Sequence, residues 1–226
     1  MVTPPDPAAP RPPEPAYRLR DRAERLGVLV VSLLGPRVQR AFLRRVFDRR
    51  HRGGDPWSYE ASPYEQGRMR AALDAAGAGP FPRCLEVGCS EGVFTRLLGA
   101  DPRVGQVTAL DVSATAAAAA ARRCADLRHV QVGCGDALSS DLGGPHDLIF
   151  CMEILYYLGA TRGRAARRLV GALAPGGRIV LVHPHPEAAA LHRPFALEPR
   201  VRVVSRTVAE HPIRPFEVLV LERVHG

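Results

Sequence analysis

The sequence predicts a doubly wound α/β fold with a seven-stranded, mostly parallel sheet and an antiparallel edge. From residue 57 onward, short apolar runs alternate with helical segments, and the runs are apolar at consecutive positions, which is typical of strands buried on both faces. The last two runs follow one another without a long helix between them, which predicts an antiparallel pair. The content of 46% apolar and 24% charged residues is globular and excludes a wholly disordered chain.

The N-terminal part of the chain differs in composition from the rest. Residues 1–16 contain seven prolines, which predicts a disordered leader. Residues 17–54 predict a basic helical extension that is broken near Gly35. All 31 basic residues are arginine, and the positive charge is concentrated in these two segments. Residues 55–226 are nearly neutral, and we assign them to a single α/β domain.

Periodicity and turn residues set the bounds of each element within this domain. An alanine-rich stretch is predicted to be helical on propensity alone, and a Pro-Gly-Gly turn precedes the fifth strand. The predicted helices cover residues 64–76, 94–99, 115–125 and 162–173, and the predicted strands cover 83–87, 106–110, 130–132, 147–152, 178–182, 201–207 and 216–222.

The first strand leads into a glycine-rich turn, GCSEG at residues 88–92, which opens a helix. Gly88 and Gly92 lack a Cβ, so the backbone can pass close beneath a ligand. Asp111 ends the second strand, and Asp136 follows the third. Ligands of open α/β sheets bind at the carboxyl ends of strands, where such carboxylates can accept hydrogen bonds from ribose hydroxyls and an adenine amino group. The pattern therefore predicts a nucleoside site.

These motifs continue with DLIF at residues 147–150 and LAPGG at 173–177. Over residues 83–183, their order resembles class I S-adenosylmethionine-dependent methyltransferases. The resemblance implies a Rossmann-like fold and S-adenosyl-L-methionine as cofactor. It places Glu86 and Gly88 at the methionine end and Asp111 at the ribose, whereas the adenine borders Asp136 and Ala137. The full set of expected cofactor-binding residues is Trp57, Tyr64, Glu86, Gly88, Cys89, Ser90, Gly92, Asp111, Val112, Gly135, Asp136, Ala137 and Glu153.

A narrower resemblance rests on DPWSYEASPYE at residues 55–65, EILYY at 153–157 and LVH at 181–183. These segments are similar to the nodulation-factor N-methyltransferases, which methylate the free amine of a deacetylated amino sugar. The resemblance implies that the acceptor is a small-molecule amine, such as an amino sugar or a similar specialised metabolite. The extension before residue 55 departs from the compact pattern of that family.

Two residues are the candidates for catalysis. Methyl transfer to an amine requires that the amine be unprotonated and aligned with the methyl donor. We expect Glu153 to orient the amine and His183 to accept its proton. Trp57, Tyr59 and Tyr64 form either a lid over the methyl donor, because aromatic faces attract a sulfonium cation, or a cover for the apolar surface of the domain.

Other functions are compatible with parts of the pattern. The same scaffold could methylate an oxygen atom, or the basic helix could recruit RNA or a protein for methylation. GCSEG also fits the nucleophile elbow of α/β-hydrolases, with Ser90 as nucleophile, Asp147 or Glu153 as the acid and His183 or His211 as the base. A nicotinamide-binding domain is disfavoured, because serine stands at position 90 where that fingerprint has glycine.

The remaining expectations concern location and partners. Five cysteines, an odd number, favour buried thiols in a reducing compartment, and we expect a cytoplasmic protein. The longest apolar run near the start spans only residues 26–35, too short for a membrane-spanning helix. A small-molecule amine is the expected partner, with no bound metal and no nucleic acid, and a homodimer is compatible with the sequence.

Overall fold

The computed structural model of the protein describes residues 27–224. The predicted leader and the first part of the predicted helical extension lie outside these residues. Residues 27–32 are helical, and short 3₁₀ helices occupy His51–Gly53 and Leu155–Thr161. The helices are α1 (Pro36–Arg50), α2 (Pro63–Ala75), α3 (Val93–Gly99), α4 (Ala114–Arg123), α5 (Arg162–Gly171) and α6 (Ala188–Ala196). The strands are β1 (Phe81–Val87), β2 (Val104–Asp111), β3 (Val130–Cys134), β4 (His146–Met152), β5 (Leu173–Pro184), β6 (Val201–Ala209) and β7 (Phe216–Arg223).

The seven strands form one sheet in the order β3-β2-β1-β4-β5-β7-β6. The pairs among β1 to β5 are parallel, whereas β7 pairs antiparallel with both β5 and β6. This confirms the predicted doubly wound fold with antiparallel pairing at one edge. The strand order reverses between β1 and β4, and a crevice at the carboxyl ends of these two strands is where ligands bind in such sheets.

Consecutive residues of the central strands pack on opposite faces of the sheet. Leu85 belongs to a core shared with α5 and α6, whereas Cys84 belongs to a core shared with α2 and α3. Both side chains are at most 1% exposed. Burial on both faces explains why the strands are apolar at consecutive positions rather than at alternate ones.

The predicted break in the N-terminal helix is confirmed. Gly35 has a φ of 103°, which favours glycine, and α1 begins at Pro36, whose missing N–H costs nothing in the first turn of a helix. Gln39, Leu43 and Phe47 form the buried face of α1. The helix therefore packs directly on the α/β domain.

Some details differ from the sequence-based expectations. Helix α6 was not predicted, and β5 begins at Leu173, so the Pro-Gly-Gly turn lies within the extent of this strand. Cys134 is exposed, because the edge strand β3 leaves it uncovered, whereas the other four thiols are buried. Among residues 27–224, no helix is long and apolar enough to cross a membrane.

Candidate functional site

A cavity of about 680 Å³ opens at the carboxyl ends of the central strands, where the strand order reverses. This volume lies within the usual range for small-molecule sites. Ten of the residues expected to bind a cofactor line it: Trp57, Tyr64, Gly88, Ser90, Asp111, Val112, Gly135, Asp136, Ala137 and Glu153. The sheet topology thus brings together side chains that are almost 100 residues apart in the sequence.

The turn after β1 needs its glycines for two different reasons. Gly88 has a φ of 86° and lines the cavity, and a Cβ at this position would collide with Ile154. Gly92 does not line the cavity. A Cβ on Gly92 would lie 2.8 Å from the Cα of Ala120, so this glycine allows α4 to pack closely. The expectation that Gly92 contacts the cofactor is therefore corrected to a packing role.

Asp111 is held at the end of β2 by two backbone amides. Its Oδ2 accepts the N–H of Ser90 at 2.9 Å, and its Oδ1 accepts the N–H of Ser113 at 2.8 Å. Burial raises the pKa of Asp111, and the two hydrogen bonds oppose this effect. Each oxygen can accept a second hydrogen bond from a group in the cavity.

Asp136 orders the loop after β3. Its Oδ1 accepts the backbone N–H groups of Leu138 and Ser139, and its Oδ2 accepts the hydroxyl of Ser139 at 2.6 Å. Arg40 of α1 places its Nε 3.2 Å from the same oxygen. The α1 helix is therefore tied directly to the wall of the cavity.

Glu153 lies at the other end of the cavity, directly after β4. Its Oε2 accepts the hydroxyl of Tyr156 at 2.6 Å and lies 3.3 Å from Nη2 of Arg214. Its Oε1 lies 3.3 Å from Nη1 of Arg68, but it is buried and accepts no hydrogen bond from the described residues. Burial raises the pKa of Tyr156 well above its usual value, and the charge of Glu153 adds to the effect. Tyr156 thus remains a hydrogen-bond donor at neutral pH.

Arg68 anchors this polar cluster. Its side chain is only 4% exposed, and it forms an ion pair with Glu65 in addition to Glu153. Burial alone would lower the pKa of Arg68, but the two carboxylates outweigh it and raise the pKa. The cluster therefore keeps a fixed positive charge beside Glu153.

Glu86 and Cys89 lie beside the main cavity rather than in its lining. They line a smaller space of about 30 Å³ that also contacts Gly88 and Ser90. Glu86 accepts the hydroxyl of Thr95 at 2.6 Å, and burial raises its pKa to about 7. Glu86 therefore lies at the margin of the cavity, and its carboxyl group exchanges its proton near neutral pH.

Aromatic side chains cover one wall of the cavity. Trp57 stacks on Tyr59, with ring centroids 5.7 Å apart, and Phe47 contacts Trp57 and Tyr157. Tyr64 packs against His211 and Phe216. The sequence analysis missed the contribution of Leu43, Phe47 and His51, which line the cavity from α1 and the turn after it. The signal in the sequence that could have predicted this burial is the spacing of two apolar residues, Leu43 and Phe47, four positions apart on a basic helix.

The expected role of His183 as proton acceptor is contradicted by its position. His183 is fully buried and does not line the cavity. Its Nε2 accepts the backbone N–H of Leu155 at 3.1 Å, so the ring proton of the neutral imidazole lies on Nδ1, 2.9 Å from Nε2 of His192. Nδ1 of His192 in turn lies 3.0 Å from Glu217. Burial lowers the pKa values of both histidines and keeps them neutral. His183 therefore supports the fold.

The nucleophile-elbow hypothesis fails on geometry. Ser90 donates its hydroxyl to Oε2 of Glu91 at 2.6 Å, and the other oxygen of Glu91 contacts Nδ1 of His51. The carboxylate thus lies between the serine and the histidine, whereas a catalytic triad places the imidazole next to the serine. Asp147 lies at the amino end of β4, where it accepts the N–H of Arg83.

Backbone strain is concentrated at this site. Among the described residues, three that are not glycine have a positive φ: Ser58 at 57°, Ser90 at 51° and Glu153 at 56°. All three line the cavity. Such conformations are costly and cluster at functional sites, so the observation makes this cavity the candidate functional centre.

Comparison with known sequences agrees with this location. The family model of nodulation protein S (NodS) matches residues 39–191, which is more than half of the chain. Nodulation protein S of Rhizobium tropici is 35% identical over 129 residues, covering 56% of this chain and 53% of that protein. The protein of the same name from Sinorhizobium fredii is also 35% identical over 129 residues, covering 56% and 59%. The chain therefore spans about half the length of the curated relatives that it matches. The family match begins within α1, so the end of the predicted extension lies inside the family region.

Comparison with solved structures supports the fold. The N-methyltransferase NodS from Bradyrhizobium japonicum WM9, in complex with S-adenosyl-L-homocysteine, aligns with a TM-score of 0.72 at 23% identity, covering 80% of this chain and 98% of that one. The 1,6-didemethyltoxoflavin-N1-methyltransferase from Burkholderia thailandensis aligns with a TM-score of 0.64 at 20% identity, covering 84% and 91%. Together with the match of the family model, these findings give one conclusion: the chain belongs to the nodulation protein S family.

Proposed function

We propose that the protein is an S-adenosylmethionine-dependent N-methyltransferase that acts on the amine of a small molecule, such as an amino sugar or a similar specialised metabolite. The observation that carries the proposal is the cavity at the strand-order reversal, with Asp111 at one end and Glu153 at the other. Membership of the nodulation protein S family supports it, as does the likeness to a NodS structure described as an N-methyltransferase with bound S-adenosyl-L-homocysteine.

The residues present fit the proposed cofactor. Asp111 keeps acceptor capacity for ribose hydroxyls, and the bare backbone at Gly88 allows close approach. Asp136 and Ala137 border the proposed adenine end, and Glu86 lies near the proposed methionine end. S-adenosylmethionine would supply an electrophilic methyl group on a sulfonium. The aromatic wall around Trp57 would exclude water from the site and favour a cation.

Glu153 is the residue proposed to act on the amine. Its buried Oε1 has no hydrogen-bond donor among the described residues, so it can accept an N–H from an acceptor amine and hold the lone pair towards the methyl group. A sugar amine titrates near neutrality, so its unprotonated form is accessible at neutral pH without a strong base, and Glu153 is proposed to orient it. Alignment of this kind contributes ~7–11 kcal/mol to rate enhancement.

The contacts of α1 favour a small acceptor over a recruited macromolecule. Arg40 is engaged by Asp136, and Arg44 pairs with Asp48, which itself accepts the hydroxyl of Ser113. Part of the positive charge of α1 is therefore already paired with carboxylates of the protein itself. We also propose a cytoplasmic location, because four buried, unoxidised thiols are typical of a reducing compartment.

Methylation of chitosan-derived oligosaccharides, whose sugars carry primary amines, tests the proposal. We expect these acceptors to gain one methyl group on nitrogen when incubated with the protein and S-adenosylmethionine, with the position assigned by mass spectrometry. In Glu153→Gln, kcat should fall about 100-fold or more, while affinity for S-adenosylhomocysteine is retained.

Glu198→Gln is the matched control, because Glu198 pairs with Arg200 away from the cavity. Its activity should equal that of the wild type. Methylation on oxygen, methylation of RNA in preference to the sugar amine, or full activity in Glu153→Gln would contradict the proposal.

A further inference from the structure

The N-terminal end of the described chain presents an outer surface that the proposed function does not use. Residues 27–32 and α1 are two helical pieces joined by the turn at Gly35. Much of this surface precedes residue 39, where the family match begins. We define the outer face by its exposed side chains, which are Leu29, Val30, Leu33, Leu34, Arg37, Val38, Arg44, Arg45 and Arg49.

Both helical pieces lie on the same part of the domain. Ser32 accepts the backbone N–H of Ala160 at 3.0 Å, and Gln39 donates to the carbonyl of Leu158 at 3.0 Å. Val28 packs in one cluster with Leu43 and Phe47. Both pieces thus bury one side against this common base, and their exposed side chains lie on the sides that face away from it.

The apolar part of the outer face is unusually large for a surface. Leu33 and Leu34 leave 73% and 65% of their area exposed, and Val30 leaves 56%. Isolated exposed leucines are common, but five large exposed aliphatic side chains within residues 29–38 mark a surface that contacts another apolar phase or a partner.

The charge of the outer face has a single sign. No acidic residue occurs between positions 27 and 47. The next acid, Asp48, is turned towards the domain, where it accepts the hydroxyl of Ser113 at 2.7 Å. Exposed Arg37 stands within the aliphatic stretch of residues 29–38, and exposed Arg45 and Arg49 follow further along α1, whereas Arg44 pairs with Asp48.

We propose that the outer face docks on a membrane surface that contains anionic lipids. An interfacial helix combines aliphatic side chains, which enter the boundary between headgroups and acyl chains, with flanking arginines, which reach the lipid phosphates. A binding site for single-stranded nucleic acid combines arginines with aromatic side chains that stack on the bases, whereas large aliphatic side chains make little favourable contact with a phosphodiester backbone. A second copy on a twofold axis would bring like charges together.

The proposal places the cavity close to the membrane. The opposite side of α1 carries Leu43 and Phe47, which line the cavity. The membrane would thus lie about one helix diameter, ~10 Å, from the cavity wall. Docking is independent of methyl transfer and can be measured without an acceptor.

Vesicle co-sedimentation of the full chain tests the proposal. We expect binding to phosphatidylcholine vesicles that contain phosphatidylglycerol, weaker binding to phosphatidylcholine alone, and a decrease with added salt. Substituting Leu33→Ser together with Leu34→Ser should lower the partition coefficient at least about tenfold on both vesicle types. Substituting Arg45→Gln together with Arg49→Gln should lower it about 30-fold on the anionic vesicles only.

The controls carry the same changes at other surfaces. Leu197→Ser removes an equally exposed leucine, and Arg164→Gln together with Arg167→Gln removes two exposed arginines of α5. Both should bind vesicles like the wild type. The proposal is overturned if the full chain fails to bind either vesicle or if Leu33→Ser with Leu34→Ser binds as well as the wild type. Dissociation of a wild-type dimer by those leucine substitutions would also overturn it and assign the face to a second copy.

Discussion

Glu86 is a residue at the cavity margin whose ionisation depends on the fold. It is 3% exposed at the carboxyl end of β1, and burial raises its pKa to about 7, with the hydroxyl of Thr95 opposing this effect. An ordinary glutamate titrates at a pKa of about 4.3. In the unfolded chain Glu86 therefore loses its proton near pH 4.5, whereas the native protein keeps that proton until about pH 7.

The sign of the pH dependence follows from this difference. Between these two pKa values the native state binds more protons than the unfolded state, so the contribution of Glu86 to the free energy of unfolding decreases as the pH rises. Glu86→Gln should remove this decrease. We expect the stability of the variant relative to the wild type to rise by about 2–3 kcal/mol between pH 5 and pH 8.

Urea unfolding at several pH values measures the effect. Glu210→Gln, which changes an exposed carboxyl, should show no such trend. A constant difference between Glu86→Gln and the wild type across this range would show that Glu86 titrates normally.

Helix α6 is attached to the sheet through buried polar groups. His183 of β5, His192 of α6 and Glu217 of β7 form a chain that ends on the backbone N–H of Leu155. This N–H begins the 3₁₀ helix that carries Tyr156. The chain therefore connects the antiparallel side of the sheet to the segment that presents Glu153 and its hydrogen-bond donor.

Removing the central member of the chain should be costly. His192→Leu leaves the Nδ1–H of His183 buried without a partner and leaves the buried Glu217 with Arg206 at 3.8 Å in place of a hydrogen bond, and we expect a loss of about 2–4 kcal/mol in the free energy of unfolding. His129→Leu, which loses one hydrogen bond to the carbonyl of Gly99 in a half-buried position, should cost about 1 kcal/mol. Equal losses in the two variants would contradict the account of the chain.

Helix α1 is anchored through a fully buried glutamine. Gln39 donates to the carbonyls of Tyr157 and Leu158 and accepts the hydroxyl of Thr161 at 3.1 Å. These contacts hold Leu43 and Phe47 of the same helix against the cavity. Both the free energy of unfolding and the affinity for a ligand in the cavity should therefore depend on Gln39.

We expect Gln39→Ala to lower the free energy of unfolding by about 2 kcal/mol, because buried carbonyls lose their donor. The affinity for S-adenosylhomocysteine should fall as well, because α1 then covers the cavity less firmly. Gln66→Ala, which removes a half-buried glutamine that makes one hydrogen bond at the surface, to the carbonyl of Glu60, should lower the free energy of unfolding by no more than about 1 kcal/mol and leave the affinity unchanged. Unchanged ligand affinity in Gln39→Ala would show that α1 is not part of the site.

At the scale of the whole molecule, the fold was predictable because most strands show the same sequence pattern, a run of consecutive apolar residues that ends in a turn. Runs such as those of β1 and β4 place apolar residues at consecutive positions and are followed by turn residues, so a parallel sheet follows from the sequence. The positions of Gly88, Asp111 and Asp136 were predictable for the same reason, since each stands where a strand ends.

The sequence-based predictions were wrong where contacts between residues distant in the sequence determine the position of a side chain. His183 was expected to follow the fifth strand and face the cavity, but β5 extends to Pro184, and the ring of His183 turns towards His192. Phe47 belongs to a helix that reads as a basic surface element, and its burial depends on contact with Trp57, which periodicity does not reveal. Gly92 has the same local sequence context as a ligand-contacting glycine, but Ala120 occupies the space above it.

The central claim is that the cavity between Asp111 and Glu153 binds S-adenosylmethionine, and calorimetric titration with S-adenosylhomocysteine tests it most directly. We predict one site of micromolar affinity, weakened about 10–100-fold in Asp111→Asn and unchanged in Asp126→Asn, whose carboxylate is exposed. Thermal unfolding verifies that the variants fold, and Val112→Trp, which narrows the cavity without altering the bonds of Asp111, should also weaken binding. Absence of binding to the wild type, or an affinity in both Asp111→Asn and Val112→Trp that equals that of the wild type, would contradict the account.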